Sequence, residues 1–245
     1  MKIKLLGKNL DEVRPLLAAC GMTEADDFEC IVTYGGDGAL LGAERDYPGV
    51  PKLPLRDRAT ARPCPLHDPE KRLRNFLRNA TTTLLPKVCG EYRGEKLFGV
   101  NDIILYNDDR LSALRYRVRI DGELYASEIV GDGAVLSSVH GSTAYYRSIT
   151  HSIFRVGIGL AFSNSTEEVN HLVLDEKSVV ELEVLRGPAI LAADNSPHRI
   201  GIPEHGVVTL RQSDEKARIF DLKDFMCPVC RMLRHPDKHP AAFPL

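Results

Sequence analysis

The 245-residue chain is 43% hydrophobic and 27% charged, with a formal net charge of −2; this is the make-up of an ordinary globular protein with length enough for a sizeable core. So even a charge balance leaves no electrostatic footprint for nucleic acid or an anionic membrane. No apolar run approaches the roughly 20 residues that a membrane span needs, and Met1 to Gly7 lack a signal-peptide core, so neither nucleic acid nor membrane is an expected partner and a cytoplasmic address follows.

In chain order, Lys2 to Leu6 predicts a first strand. Asn9 is placed to cap a helix from Leu10 to Cys20 that Gly21 ends. A second strand, Phe28 to Thr33, runs into Tyr34-Gly35-Gly36-Asp37-Gly38, and Ala39 to Glu44 can begin a helix. A strand, a helix and a strand closing on a glycine turn is how an open α/β sheet begins, and ligands collect at that edge. Glycine amides can approach phosphate or sugar oxygens closely, and a helix amino terminus favours anionic groups. Neither the G-x-G-x-x-G nor the G-x-x-x-x-G-K-[ST] pattern is present, so any phosphate is bound by another device.

Lys52 to Leu55 predicts a short strand, followed by a proline-rich irregular loop that carries Arg56, Arg58 and Arg62 and reads as a crossing between domains. A helix from Pro69 to Asn79 has Leu73, Phe76 and Leu77 at helical spacing; its Lys71, Arg72, Arg74 and Arg78 read as a solvated face. From residue 81 the texture changes to period two. Strands are predicted at Thr82 to Val88, Lys96 to Val100, Ile103 to Asn107, Leu114 to Ile120, Glu123 to Ile129, Ser152 to Ala161, Val179 to Val184, Ile190 to Ala193 and Gly206 to Arg211, with Asp121-Gly122 as a hairpin turn. The predicted fold is α/β plus β. A small Rossmann-like amino-terminal domain (1–80) precedes a larger, β-sandwich-like domain (81–212), and the chain end (213–245) returns to the first domain.

Two stretches of the β-rich part make the glycine turn informative: Asn101-Asp102 at the head of an apolar strand, and the run Gly131-Asp132-Gly133 to Gly141-Ser142-Thr143-Ala144-Tyr145. With Gly35-Gly36-Asp37-Gly38 and a late Asp194 behind Ile190-Leu191-Ala192-Ala193, they stand in the order and at the spacing of one family. The chain resembles the NAD kinases, which move a phosphoryl group from ATP or polyphosphate to the 2′-hydroxyl of the adenosine ribose of NAD. The likeness spans most of residues 1 to 225.

The resemblance implies roles that the chemistry can accommodate. Phosphoryl transfer needs an in-line acceptor hydroxyl, charge neutralisation and a carboxylate to take the proton. Asp37 looks like that carboxylate, or a Mg²⁺ contact beside it, with the amides of Gly36 and Gly38 holding phosphate oxygens. Asn101, both donor and acceptor, suits an adenine edge, and Asp102 can accept from a ribose hydroxyl. Asp132 would do the same for the other ribose or the carboxamide, while Thr143, Ala144, Tyr145 and Ser148 would line the dinucleotide pocket. The family's assembly through its β domain implies a homo-oligomer. A kinase of another hydroxyl on the same scaffold, as in the lipid kinases that share the glycine turn, and a catalytically silent NAD(P)-binding sensor are the alternatives.

The chain also departs from the family pattern. Ser138-Val139-His140 replaces a hydroxyl-Pro-hydroxyl run, putting an imidazole where a small hydroxyl is expected; His140 reads as a pocket-wall or core residue, or as a phosphate contact or a specificity change. Arg147 to His151 replaces a Gly-Gly-Pro, and Asn195, not glycine, follows Asp194. Pro54-Leu55-Arg56-Asp57-Arg58 stands where the family has an apolar glycine loop. In the tail, Cys227, Cys230, His235 and His239 could together hold a structural Zn²⁺.

Overall fold

The computed structural model describes residues 1–59, 64–109 and 111–225. The chain divides into two compact units, one joining Met1–Leu84 to the chain from Ala217 onward, the other Leu85–Lys216.

The first unit opens with β1 (Lys2–Gly7), α1 (Leu10–Ala19), β2 (Thr23–Glu24), β3 (Cys30–Tyr34), α2 (Asp37–Asp46), β4 (Lys52–Leu55) and α3 (Pro69–Asn79). The strands lie parallel in the order β2-β1-β3-β4. β3 and β4 are buried along their whole length, as expected of parallel strands covered on both faces. Their core gathers Ile3, Val32, Tyr34, Leu53 and Leu55 of the sheet with Val13, Leu17, Leu73 and Phe76 of the helices. Asp68 caps α3 by accepting the Lys71 amide at 3.0 Å, with Pro69 at the first helical position.

Three expectations fail here, the first two because a side chain finds a tertiary partner. Asn9 precedes α1 in the left-handed region (φ 53°) and makes no side-chain cap; its amide donates to Asp57 at 2.9 Å. Arg72 is buried rather than solvated, its guanidinium donating to the carbonyls of Pro54 and Asp221. β4 and the described residues after it, 56–59 and 64–68, belong to the first unit rather than forming a crossing between domains.

Among its described residues, the second unit is built of strands with one short helix and one 3₁₀ turn. It contains β5 (Thr82–Tyr92), β6 (Glu95–Gly99), β7 (Asp102–Asn107), β8 (Leu114–Ile120), β9 (Glu123–Gly131), β10 (Gly133–Ser137), α4 (Tyr145–Thr150), β11 (Ile158–Ser163), β12 (His171–Leu174), β13 (Val179–Arg186), β14 (Ala189–Ala193), β15 (Arg199–Ile202) and β16 (Val207–Phe220). One antiparallel sheet has the order β12-β11-β10-β7-β14-β15; in the other, β16-β13-β8-β9 carries β5 beside β16 and β6 beside β5. Residues from both sheets, among them Leu105, Leu136, Leu160 and Leu191 on one side and Val88, Tyr116, Leu182 and Leu210 on the other, form one apolar cluster, which makes this unit a sandwich. The strand predicted from Ser152 begins only at Ile158.

β16 ends in the first unit, where Ile219 pairs with Lys52 of β4, and α5 (Leu222–Phe225) follows. Asp221 fixes this return by accepting the Thr81 amide and hydroxyl at 2.9 and 3.0 Å.

Candidate active site

The predicted site residues fall into two groups, one in each unit. In the first unit, β3 delivers the chain to the glycine turn. The Gly35 amide donates to the Leu55 carbonyl at 2.9 Å, which ties the turn to the end of β4. Gly36 occupies the N-cap position with extended backbone and no side-chain cap, and Asp37 is the first helical residue of α2, where a carboxylate is favoured by the helix dipole.

Asp37 does not stand alone on this turn. Its Oδ1 accepts from Nη2 of Arg56 at 3.1 Å, and the same nitrogen donates to the Phe225 carbonyl at 3.3 Å. The guanidinium carbon lies 3.9 Å from the centroid of the Phe225 ring, a cation–π geometry. The loop bearing Arg56 is itself fixed: buried Asp57 accepts from Asn9 and from the Ala59 amide, each at 2.9 Å, and the Arg58 amide donates to the Tyr34 hydroxyl at 3.1 Å. Sequence reasoning passed over Arg56 as one of several arginines in a proline-rich loop. Nothing in its spacing pairs it with a residue nineteen positions earlier.

In the second unit, the Asn101-Asp102 turn is held from two directions. Asp194, at the end of β14, accepts the amides of Val100, Asn101 and Asp102 at 2.7, 2.8 and 3.1 Å. From the other side, Ser138 donates its hydroxyl to the Val100 carbonyl at 2.6 Å and its amide to the Asn101 carbonyl at 2.9 Å. The Gly141 amide closes the loop onto the Ser138 hydroxyl at 3.0 Å. A Cβ on Gly141 would fall on the Asn101 carbonyl oxygen, so only glycine lets these two backbones meet. Motifs some 40 and 90 residues apart in sequence thus form one hydrogen-bonded knot.

The side chain of Asp102 is 4% exposed. Burial, and secondly the Asp194 charge, push its carboxyl up to about 7. Burial also raises Asp194, against the three amides that favour its ionised form. The three amides favour the ionised form of Asp194, and that charge in turn favours the protonated form of Asp102.

Past Gly141 a 3₁₀ turn (Gly141–Thr143) leads through Ala144 into α4. Tyr145 and Ser148 face a polar cleft of about 550 Å³ whose other walls include Ser163, Asn164, Glu167 and Glu168. Asp132 is exposed and accepts from the Asn164 amide at 2.7 Å. Thr143 donates its hydroxyl to the His140 carbonyl at 3.4 Å; His140 itself is half-buried. Asn164, Glu167 and Glu168 lie on the connection from β11 to β12, where periodicity gave no signal.

The tail residues Cys227, Cys230, His235 and His239 lie outside the described residues. Among the described residues no group of three or more His, Cys, Asp or Glu side chains could hold a metal ion, and no helix is long and apolar enough to cross a membrane.

No family profile matches the chain. Among curated proteins, an NAD kinase of Brucella melitensis is 26% identical over 144 residues, 56% of each chain, and one of Clostridium tetani is 24% identical over 185 residues, 70% of this chain and 67% of its own. The first match thus spans little more than half the length of that relative. Among solved structures, an NAD kinase from Archaeoglobus fulgidus in complex with ATP superposes with a TM-score of 0.76 at 18% identity, covering 95% of this chain and 99% of its own. A yeast NADH kinase complexed with NADH gives a TM-score of 0.79 at 13% identity, over 100% of this chain and 89% of that one. In sequence this chain is similar to the NAD kinases, and its fold is that of the two solved kinase structures.

Proposed function

We propose that the protein is an NAD kinase-like phosphotransferase that moves a phosphoryl group from ATP or polyphosphate to the 2′-hydroxyl of the adenosine ribose of NAD, giving NADP. The observation that carries this reading is the knot in the second unit. Two separate stretches, at Asp194 and at Ser138, spend hydrogen bonds on one small feature, the Asn101-Asp102 turn. A turn with no ligand does not call for that much support, whereas a group that must read an adenine edge or a ribose hydroxyl has to be held still.

In this reading Asn101 and Asp102 contact the adenosine half. Tyr145 and Ser148, with Asp132 behind Asn164, line the cleft for the rest of the dinucleotide, and Thr143, Ala144 and His140 shape the wall between them. Asp37 takes the proton from the acceptor hydroxyl as its oxygen bonds to phosphorus and the donor's bridging P–O bond breaks. The amides of Gly36 and Gly38 face the donor phosphates. With a single carboxylate on the glycine turn, the site suits Mg²⁺ held chiefly by the donor's own phosphate oxygens with Asp37 alongside, which is how Mg²⁺ is commonly bound. The ion would supply charge neutralisation on the moving group.

The test is an endpoint assay of the purified protein with NAD, MgCl₂ and either ATP or polyphosphate, in which NADP is measured with an NADP-specific dehydrogenase. NADP formed with one donor establishes the activity and names the donor. No NADP with either, while NAD still raises the melting temperature, would leave a silent dinucleotide binder.

A further inference from the structure

We infer that Asp102 meets the dinucleotide as a neutral acid, donating a hydrogen bond to an acceptor atom of the adenosine half where an ionised carboxylate could only accept one. The inference rests on the reading of the Asn101-Asp102 turn as the place where the adenosine binds. It reverses the role that the residue type alone suggests.

The geometry leaves this carboxyl buried and without a donor. Asp102 is 4% exposed, and among the described residues no amide, hydroxyl or cation bonds its side chain. The hydroxyls closest to it along the strands are committed elsewhere. Ser137, its partner in the ladder between β7 and β10, donates to the carbonyls of Asn101 and Ser138 at 3.3 and 3.1 Å, and Ser138 donates to that of Val100 at 2.6 Å. An ionised carboxylate taken out of water with no donor is strongly disfavoured, whereas the protonated form carries no such charge.

Asp194 adds a like charge that cannot move away. The Asp102 amide donates to Oδ1 of Asp194 at 3.1 Å and the Asp194 amide donates back to the Asp102 carbonyl at 3.0 Å, so the two backbones are tied side by side. Both oxygens of Asp194 accept amides, Oδ2 from Val100 and Oδ1 from Asn101 and Asp102, which suits its ionised form. Burial first, and the Asp194 charge second, raise Asp102 to about 7. The other charged groups on the neighbouring elements do not relieve it. β10 is uncharged along its length. Against the burial that raises Asp194, the three amides and Lys87 of β5 favour its charge, and that lysine also bonds Glu215 at 3.2 Å. On β6, Glu95 and Lys96 are paired with His198 and Glu91. His140, in the loop after β10, is half-buried.

A protonated carboxyl has one O–H donor and keeps a carbonyl acceptor, as the amide of Asn101 beside it has both functions; the ionised form only accepts. A turn of this character takes ligand atoms that accept, a ring nitrogen or a ribose oxygen. It also presents a single negative charge, covered by three amides, to a ligand whose diphosphate is itself anionic.

The experiment follows NAD binding by calorimetry from about pH 6 to about pH 8.5, for wild type and Asp102→Asn, in buffers of different ionisation heat so that protons exchanged on binding are counted. Because the protonated form binds, the wild-type Kd should be level below about pH 7 and rise about tenfold per unit above it, with about one proton taken up per NAD. Asp102→Asn has a donor at every pH, so its Kd should vary by less than about threefold across the range, with no proton taken up. The infrared difference between free and NAD-bound wild type near pH 8 should gain the band of a protonated carboxyl, and Asp102→Asn should lack it.

A wild-type Kd that is level or falls as pH rises overturns the inference. So does a slope that survives Asp102→Asn, which would belong to His140 or another group, and so does the absence of the carboxyl band. If Asp102→Asn does not fold, the band decides alone, since an imidazole cannot produce it. None of these readouts needs turnover. NAD bound without NADP formed refutes the kinase reading and leaves the pH slope to decide this one, whereas no NAD bound at any pH overturns the adenosine site and this inference together.

Discussion

The Asp194 carboxylate accepts the backbone amide of Asn101 at 2.8 Å, and through the amides on either side it determines where the Asn101 side chain starts. Replacing it with alanine leaves these amides without their acceptor. At about 1–3 kcal/mol for a buried group that loses its partner, Asp194→Ala should lose about 2–4 kcal/mol, read as a lowered midpoint in urea unfolding. NAD should no longer protect this variant against thermal unfolding even where it is fully folded.

The neighbouring carboxyl makes the second unit's stability depend on pH. Asp102 has a folded value of about 7 against an ordinary 3.8. Below about pH 4 it is protonated in both states and costs nothing. Between 4 and 7 the unfolded chain ionises while the folded one stays protonated, so stability falls as pH rises; above 7 the full penalty is present. At roughly 1.4 kcal/mol per unit, the effect amounts to a few kcal/mol. Asp102→Asn should therefore be more stable than wild type at pH 8, equal to it near pH 4, and flatter in between when denaturation midpoints are compared.

Asp37 lies 39% exposed at the start of α2, so its substitution should spare the fold. Asp37→Asn should retain the wild-type melting temperature within about 2 °C and lose on the order of 10²–10⁴ in kcat, the usual contribution of a positioned proton acceptor. A variant with full turnover would remove Asp37 from the chemistry.

Gly141 tests the knot from its other side. A methyl group at this position meets the Asn101 carbonyl oxygen, and backbone cannot yield as a flexible side chain can. Gly141→Ala should cost about 1–3 kcal/mol, and its Kd for NAD should rise at least tenfold by calorimetry. Gly122→Ala, at a hairpin turn with open space around it but a positive φ of 83°, serves as a control. It should lose stability by a comparable amount and leave the Kd unchanged.

What the sequence determined by itself was local or short in period. Leu114–Ile120 and Lys52–Leu55 are strands with the bounds their residues predict, and α3 runs from Pro69 to Asn79 as its cap, proline and apolar spacing require. The motifs were visible because each compresses its chemistry into two to five neighbouring residues. The two-residue β2, the late start of β11 at Ile158 and the burial of Arg72 were not visible, since each is decided by a partner far along the chain. The same reason governs the site. Composition can place a carboxylate next to glycines, but only the tertiary structure brings Arg56 and Phe225 onto Asp37, or Ser138 and Asp194 onto Asn101. Those contacts close loops of 19 to 169 residues, and in most of them one partner is a backbone group that every sequence shares.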